Sequence, residues 1–265
     1  MALINLLHLG TIDYATALQL QKTLVDLRKQ GRIGDTLLLL EHPPVITLGR
    51  NSSRSNILVS DELLAHRGVE LFESNRGGDV TFHGPGQLVG YPIFDLRGLK
   101  LGAVDFVRRI EEALMRTCGD YGVLSQRICK LTGVWTQANQ PAKIAAIGIH
   151  ISRAVTSHGF ALNVNTDLDL FKLIVPCGIS DKPVTSLERE MASDRPAPNL
   201  EQVAMAVARN FGWVFAAQVL WLESLDALLN SAYAEKSAHS EPQDTPAKAP
   251  KELREFHGEE EIYLA

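Results

Sequence analysis

The chain has 265 residues, 45% of them hydrophobic, and 26 Lys and Arg against 31 Asp and Glu give a formal net charge of -5. That length carries one sizeable core, and the dispersed, slightly acidic charge excludes a dedicated nucleic-acid binder, so an acidic partner must be met by a local basic patch. No apolar run approaches the roughly 18 residues of a membrane span and MALINLLHLG lacks the basic flank of a signal peptide, so a cytoplasmic protein is expected; three cysteines without a C-x-x-C pair suggest free thiols.

Residues 3–9 alternate weakly as a strand, and Asp13–Gln30 predicts a helix with Ala17, Leu20, Leu24 and Leu27 on one face and Gly31 closing it. Thr36–Leu40 is a continuous apolar run suited to a strand covered on both faces, and the prolines of EHPPV turn the chain into a short strand, Val45–Leu48. Ser60 predicts the cap of a short helix ending near Gly68. Gln87–Phe94 reads as a strand, and Ala103–Tyr121 as an amphipathic helix with Phe106, Ile110, Ala113 and Thr117 on one side. Strands are expected at 133–136, 143–151 and 158–164, then a helix from Leu200 to about Ala232, broken near Gly212. These elements imply an α/β or α+β domain over 1–233, a mixed β-sheet flanked by helices without the even rhythm of a doubly wound fold. From Ala234 the composition turns to Glu, Lys, Ser, Pro and Ala, so 234–265 is expected to be a disordered tail, with IYLA as a terminus able to dock.

The stretch RGGDVTFHGPGQLVGYPIFDL, residues 76–96, holds five glycines, which bring backbone close to a ligand. A phosphate-cradling P-loop is absent. Gly84, Gly86 and Gly90 are spaced one residue too widely for a dinucleotide fingerprint, and Pro85 stands where its helix would begin. The two familiar nucleotide motifs are therefore excluded, and His83, framed by glycine, is expected to line a site.

Three thiols compete as nucleophile. Cys118 lies beside the apolar stripe of a helix and reads as core; Cys129, in RICKL, also reads as structural. Cys177 stands in IVPCGIS, where proline fixes the backbone before it and glycine permits a sharp turn after it, as a strand end would present a nucleophile. Local sequence leaves a loop cysteine without a role equally open. Candidate bases are His83, His150, His158 and Lys143. Lys143 opens the apolar strand pattern KIAAIGIHI, where a lysine asks for a partner, although periodicity alone favours a lysine snorkelling from a strand end. Asp167 and Asp169 suit turns, and Thr185 with Glu188 fits a helix capping box.

Taken in order, EHPPVITLGR (41–50), RGGDVTFHGPGQLVGYPI (76–93), GVWT (133–136), KIAAIGIHI (143–151), HGFALNVN (158–165) and PCGISDKPVTSL (176–187) resemble the lipoyl(octanoyl) transferase family over roughly residues 5–215. The resemblance implies the fold of the biotin and lipoate protein ligase catalytic domain and a tunnel for a medium-length acyl chain. It implies Cys177 as nucleophile and Lys143 as the residue that activates it. Substrate contacts are implied at Arg76, Gly77, Gly78, Asp79, Val80, Thr81, Phe82 and His83, at Ala146, Ile147 and Gly148, and at Gly159, Phe160 and Ala161. The implied donor is octanoyl-acyl carrier protein, and the acceptors are lipoyl domains of 2-oxo acid dehydrogenase complexes and the glycine-cleavage H protein, with neither ATP nor metal and with a monomeric enzyme. Arg50, Arg54 and Arg76 are expected to form a basic rim for these acidic partners. Backbone N–H groups near Cys177 and Gly178, or in the glycine loop, are expected to hold the oxyanion. An ATP-dependent lipoate or biotin protein ligase of the same fold would need no thiol at Cys177. A thiol hydrolase and a non-catalytic acyl-binding protein are the other readings.

Overall fold

The computed structural model describes residues 2–179, 181–229 and 261–264, the last as backbone only. The chain opens with β1 (Ala2–Thr11) and α1 (Tyr14–Lys29), whose first turn is held by the Asp13 side chain accepting from the Thr16 N–H. Strands β2 (Asp35–Glu41) and β3 (Val45–Leu48) follow, then α2 (Asp61–His66), capped by Ser60 through the Leu63 N–H. Next come β4 (Glu70–Glu73), β5 (Thr81–His83), β6 (Gln87–Ile93), α3 (Leu96–Leu99) and α4 (Ala103–Asp120). The hairpin β7 (Ser125–Ile128) and β8 (Leu131–Thr136) leads to β9 (Lys143–Ser152) and β10 (Val155–Asn163). A short α5 (Leu187–Glu190), α6 (Leu200–Val214), β11 (Ala217–Trp221) and β12 (Glu261–Leu264) complete the described chain.

Among the described residues nine strands make one sheet in the order β11-β1-β2-β6-β10-β9-β8-β7, with β12 also on β9, and three make a small sheet, β4-β3-β5. β1 runs parallel to both β2 and β11; from β2 to β7 each pairing in the large sheet is antiparallel. One face of the large sheet packs Ile147, Ile149, Phe160 and Leu162 against Phe106 and Ile110 of α4 and Val207 and Phe211 of α6. On the other face, Ala17 and Leu24 of α1 cover Leu38, Leu40 and Val89. Beside α1, the small sheet builds a third core from Ile46, Phe82, Phe171 and Leu173. Completely burying each such side chain contributes about 1.5–3 kcal/mol, so all three layers hold their places.

The structure departs from the sequence expectation in particular places. The helix expected from Leu200 to about Ala232, broken near Gly212, does break at Val214, and 225–229 are helical again; but Ala217–Trp221 between them is an edge strand, because β1 offers it a parallel partner in the register Ala2↔Ala217 to Leu6↔Trp221. Ser186, not Thr185, caps α5, accepting from the Arg189 N–H, while the Thr185 hydroxyl donates to Glu190 at 2.6 Å. Of the expected tail, residues 261–264 pair antiparallel with β9, from Glu261↔Ser152 to Leu264↔Ile149, where β8 no longer covers that edge; residues 234–260 lie outside the described residues.

Candidate active site

A cavity of about 350 Å³ lies where the small sheet and the 76–79 loop face β9 and β10, at the low end of the roughly 300–1,000 Å³ usual for small-molecule sites. Its floor is small by design of the strand alternation: Ala146 and Gly148 on β9 lie beside Ala161 and Gly159 on β10, in the register Ala161↔Ala146 and Gly159↔Gly148. Ile147 and Phe160 border the same cavity, but their side chains belong to the core against α4 and α6. A Cβ on Gly148 would stand 2.6 Å from the Gly77 carbonyl, so only glycine lets the loop come this close.

That loop is tied down by Arg76. Its guanidinium is buried and donates to Thr47 Oγ1 at 3.0 Å, to the Thr47 carbonyl at 2.6 Å and to the Gly77 carbonyl at 3.1 Å. Burial pushes its pKa down, opposed by Tyr14 and Cys177, yet arginine stays charged. Next to it, Asp79 accepts from the Val80 N–H and from Asn56 Nδ2, each at 2.6 Å.

Cys177 sits in a single turn, Pro176–Gly178, with φ 56° and ψ 22°, the left-handed region that costs a residue with a Cβ roughly 1–2 kcal/mol. The surroundings enforce this conformation. Its N–H donates to the Val80 carbonyl at 2.9 Å, Val175 N–H donates to the Asn56 carbonyl at 2.8 Å, and Gly178 follows at φ +67° with room for no Cβ beside Asp79. The apolar run before it passes from a 3-10 segment, Leu168–Leu173, into extended Ile174 and Val175, with Ile174 in an isolated bridge to Ile57, so the thiol follows a short pinned extended segment and not one of the sheet strands.

Lys143 is the first residue of β9, clamped by its N–H to the Pro183 carbonyl at 2.8 Å and by its carbonyl accepting from Thr185 N–H at 2.9 Å. Its side chain is buried, and among the described residues it faces the Trp135 ring, 4.8 Å from Nζ. Gly133 lies close enough that a Cβ would come within 3.5 Å of the Lys143 Cε.

The histidines are neutral where it matters. Gln87 Nε2 donates to the Phe82 carbonyl and to Asn163 Oδ1, so its Oε1 must accept from His83 Nδ1, 2.7 Å away. Burial, with His42 nearby, holds the His83 pKa down to about 3. His158 is likewise pushed down to about 3 by burial and Arg76, with Nε2 2.7 Å from Asn75 Oδ1. His150 is buried against Asn75 and Ser157 and does not border the cavity.

The cavity thus brings together Cys177, Lys143, Arg76, Gly77, Gly78, Asp79, Thr81, His83, Ala146, Ile147, Gly148, Gly159, Phe160 and Ala161. It leaves out Val80 and Phe82, both fully buried in the third core: β5 is a strand, its residues alternate, and Thr81 and His83 take the cavity side. The expected basic rim is also revised, since Arg76 is interior and Arg54 pairs with Asp61; Arg50 is exposed. The N–H groups of Cys177 and Gly178 are spent on Val80 and Val175, and that of Gly77 on Ile149; among the described residues those of Gly78 and Asp79 make no hydrogen bond. Tyr14, Tyr91, Asn51 and Thr132 border the cavity without having been expected. Cys118 is buried in the core, its thiol pushed up to about 12 by burial, and Cys129 is exposed.

A pinned thiol, a buried amine and a floor without bulk thus border one cavity on a mixed sheet. Residues 13–212 match the family described as lipoyl protein ligase A/B catalytic domain. The chain is 62% identical over 264 residues to an octanoyltransferase of Koribacter versatilis, covering 99% of this chain and 100% of that one, and 64% identical over 236 residues to an octanoyltransferase of Acidobacterium capsulatum, covering 85% and 96%. A similar fold occurs in a bipartite lipoate protein ligase of Thermoplasma acidophilum, with TM-score 0.68 at 17% identity over 88% of this chain and 92% of that one. The chain belongs to the lipoyl protein ligase A/B catalytic domain family, among its octanoyltransferases.

Proposed function

We propose that octanoyl transfer by this enzyme, a step of lipoate biosynthesis, runs through a thioester on Cys177, from octanoyl-acyl carrier protein to a lysine ε-amine of a lipoyl domain. Lipoyl domains of 2-oxo acid dehydrogenase complexes and the glycine-cleavage H protein are the acceptors. The observation that carries this reading is the opening of Cys177 and Lys143 into one cavity whose floor, Ala146, Gly148, Gly159 and Ala161, admits an alkyl chain.

Lys143 Nζ takes the Cys177 proton and Sγ attacks the donor carbonyl. The N–H groups of Gly78 and Asp79, free of other bonds among the described residues, receive the oxyanion. The carrier's pantetheine sulfur departs with the proton held by Lys143, leaving octanoyl-Cys177. The acceptor amine then attacks the new thioester, Lys143 takes its proton, and the Cys177 sulfur leaves and is reprotonated. Exchange between thioesters is near balance and aminolysis is downhill, so the cycle asks for neither ATP nor a metal. We place the enzyme in the cytoplasm as a monomer.

Intact-mass measurement after brief exposure to octanoyl-acyl carrier protein without ATP tests this. A hydroxylamine-sensitive octanoyl adduct is expected on the native protein, and none on Cys177→Ala. Absence of the adduct, with octanoyl-AMP formed from free octanoate, ATP and magnesium, would make the protein a ligase. Silence in both would leave an acyl-binding protein.

A further inference from the structure

We propose that Tyr91, braced by His42 and Tyr14, is the end stop of the acyl tunnel and sets the chain length that the enzyme accepts. The inference rests on the acyl-transfer reading above and adds the residues that determine its specificity.

Cys177 lies level with Ala146 and Ala161, since all three, with Lys143, border a small annex of about 10 Å³ beside the main cavity. The register Ala146↔Ala161↔Val89 then puts Tyr91 two strands across and two residues along from Ala146. At strand spacings of ~4.8 Å and ~3.4 Å per residue, that is about 12 Å. A fully extended chain advances ~1.2 Å per bond, so the seven carbon–carbon bonds of an eight-carbon acyl group cover about 8 Å, and the phenol ring takes up the remainder.

The stop is rigid because its polar atoms are committed away from the chain. His42 Nδ1 donates to the Ile12 carbonyl at 2.7 Å, which leaves Nε2 as an acceptor for the Tyr91 hydroxyl at 2.8 Å. The Tyr14 hydroxyl donates to Ser74 Oγ at 3.0 Å, and the Tyr14 ring meets His42 edge-on with centroids 5.4 Å apart. Both tyrosines are almost wholly buried. A longer chain must displace a ring whose hydroxyl would leave a buried imidazole nitrogen unpaired, so acceptance falls sharply beyond the limit where a leucine-lined end would yield gradually.

The test is competition among C6, C8, C10 and C12 acyl-carrier proteins for transfer to a lipoyl domain, read by intact mass of the domain. The native enzyme should fall off beyond C8. Tyr91→Leu should raise the C10 to C8 ratio of kcat/KM by up to about fifteenfold, since each of the two extra buried methylenes is worth roughly a fourfold factor. Ala146→Val, at the thiol end of the floor, should move the optimum to C6. Tyr91→Phe keeps the ring and loses only the anchor, so it should fold and raise the C10 to C8 ratio by a smaller factor. Ratios within twofold of native in Ala146→Val and in Tyr91→Leu, or in Tyr91→Phe should the leucine variant not fold, would overturn the proposal. The Cys177 adduct is measured on the same samples: its absence with chain selectivity shifted as stated would sink the thioester relay and leave the end stop standing.

Discussion

Gly178→Ala is expected to disable the enzyme while leaving it folded. Alanine at φ +67° costs about 1–2 kcal/mol by itself. Its Cβ would also lie 2.5 Å from Asp79 Oδ2, roughly 1 Å inside ordinary contact. Asp79 cannot retreat, because one oxygen accepts from the Val80 N–H and the other from Asn56. The Pro176–Gly178 turn must therefore move, carrying the Cys177 sulfur, and a shift on the order of 1 Å at a reacting atom costs about a hundredfold in rate. The assay is kcat/KM for octanoyl transfer to a lipoyl domain, beside urea unfolding. We expect a loss of about a hundredfold against only ~2 kcal/mol of stability. Gly119→Ala, in the last turn of α4 with nothing within 4 Å of the new Cβ, should keep native kcat/KM and match or exceed native stability by up to about 1 kcal/mol. Native activity in Gly178→Ala would refute the claim that this turn positions the thiol.

Acid should weaken the fold through its buried imidazoles. His83 and His158 are held near pKa 3, below the unfolded value of about 6.5, so the unfolded chain binds more protons and stability present above pH 6.5 is lost as pH falls toward 3. Each contributes a slope of about 1.4 kcal/mol per pH unit in that window; urea midpoints of His83→Gln should fall less steeply on acidification, and an unchanged slope would contradict its neutral state. Phe82→Ala should cost about 3–5 kcal/mol by denaturation while leaving the C10 to C8 selectivity native, because that ring faces the third core and not the acyl chain. Glu111, buried on α4, accepts from Arg108 at 2.6 Å, Arg127 at 3.0 Å and the Gly133 N–H at 3.2 Å. Glu111→Gln should lose about 1–3 kcal/mol, the partial exposure of both arginines limiting the effect, and a native urea midpoint would show that this bond set does not hold the β7–β8 hairpin.

Much of this was legible in the residues because local chemistry and tertiary position agreed. Ser60 announced its helix by a side chain that does cap it, the helix expected from Asp13 starts beside that residue, and the buried run Thr36–Leu40 is central in the sheet. The Arg-Gly-Gly loop does roof a cavity with Cys177 and Lys143. What sequence concealed depended on partners far along the chain. Ala217–Trp221 has only Ala217 buried and no alternation to betray a strand; β1 makes it one. Three-residue β5 was too short to show that Val80 and Phe82 point away from Thr81 and His83. Arg76 read as a surface charge because the carbonyls of Thr47 and Gly77 that satisfy it arrive only on folding. Tyr14 and Tyr91 sit within an ordinary helix and strand, and nothing short of the pairing of β6 with β10 reveals that they meet at a cavity.

The parallel pairing of β1 with β11 has a consequence for biosynthesis. As the chain leaves the ribosome, β1 finds β2 within its first forty or so residues, yet its other edge stays open until Ala217–Trp221 has been made. Closing so long a loop costs entropy before any contact repays it, which makes this a late and slow join of the sheet. Until then the nascent enzyme carries an unpaired strand edge, the feature that templates association between unfinished chains. A gene truncated just before Ala217 would therefore retain every residue that borders the cavity and still yield a protein prone to aggregate.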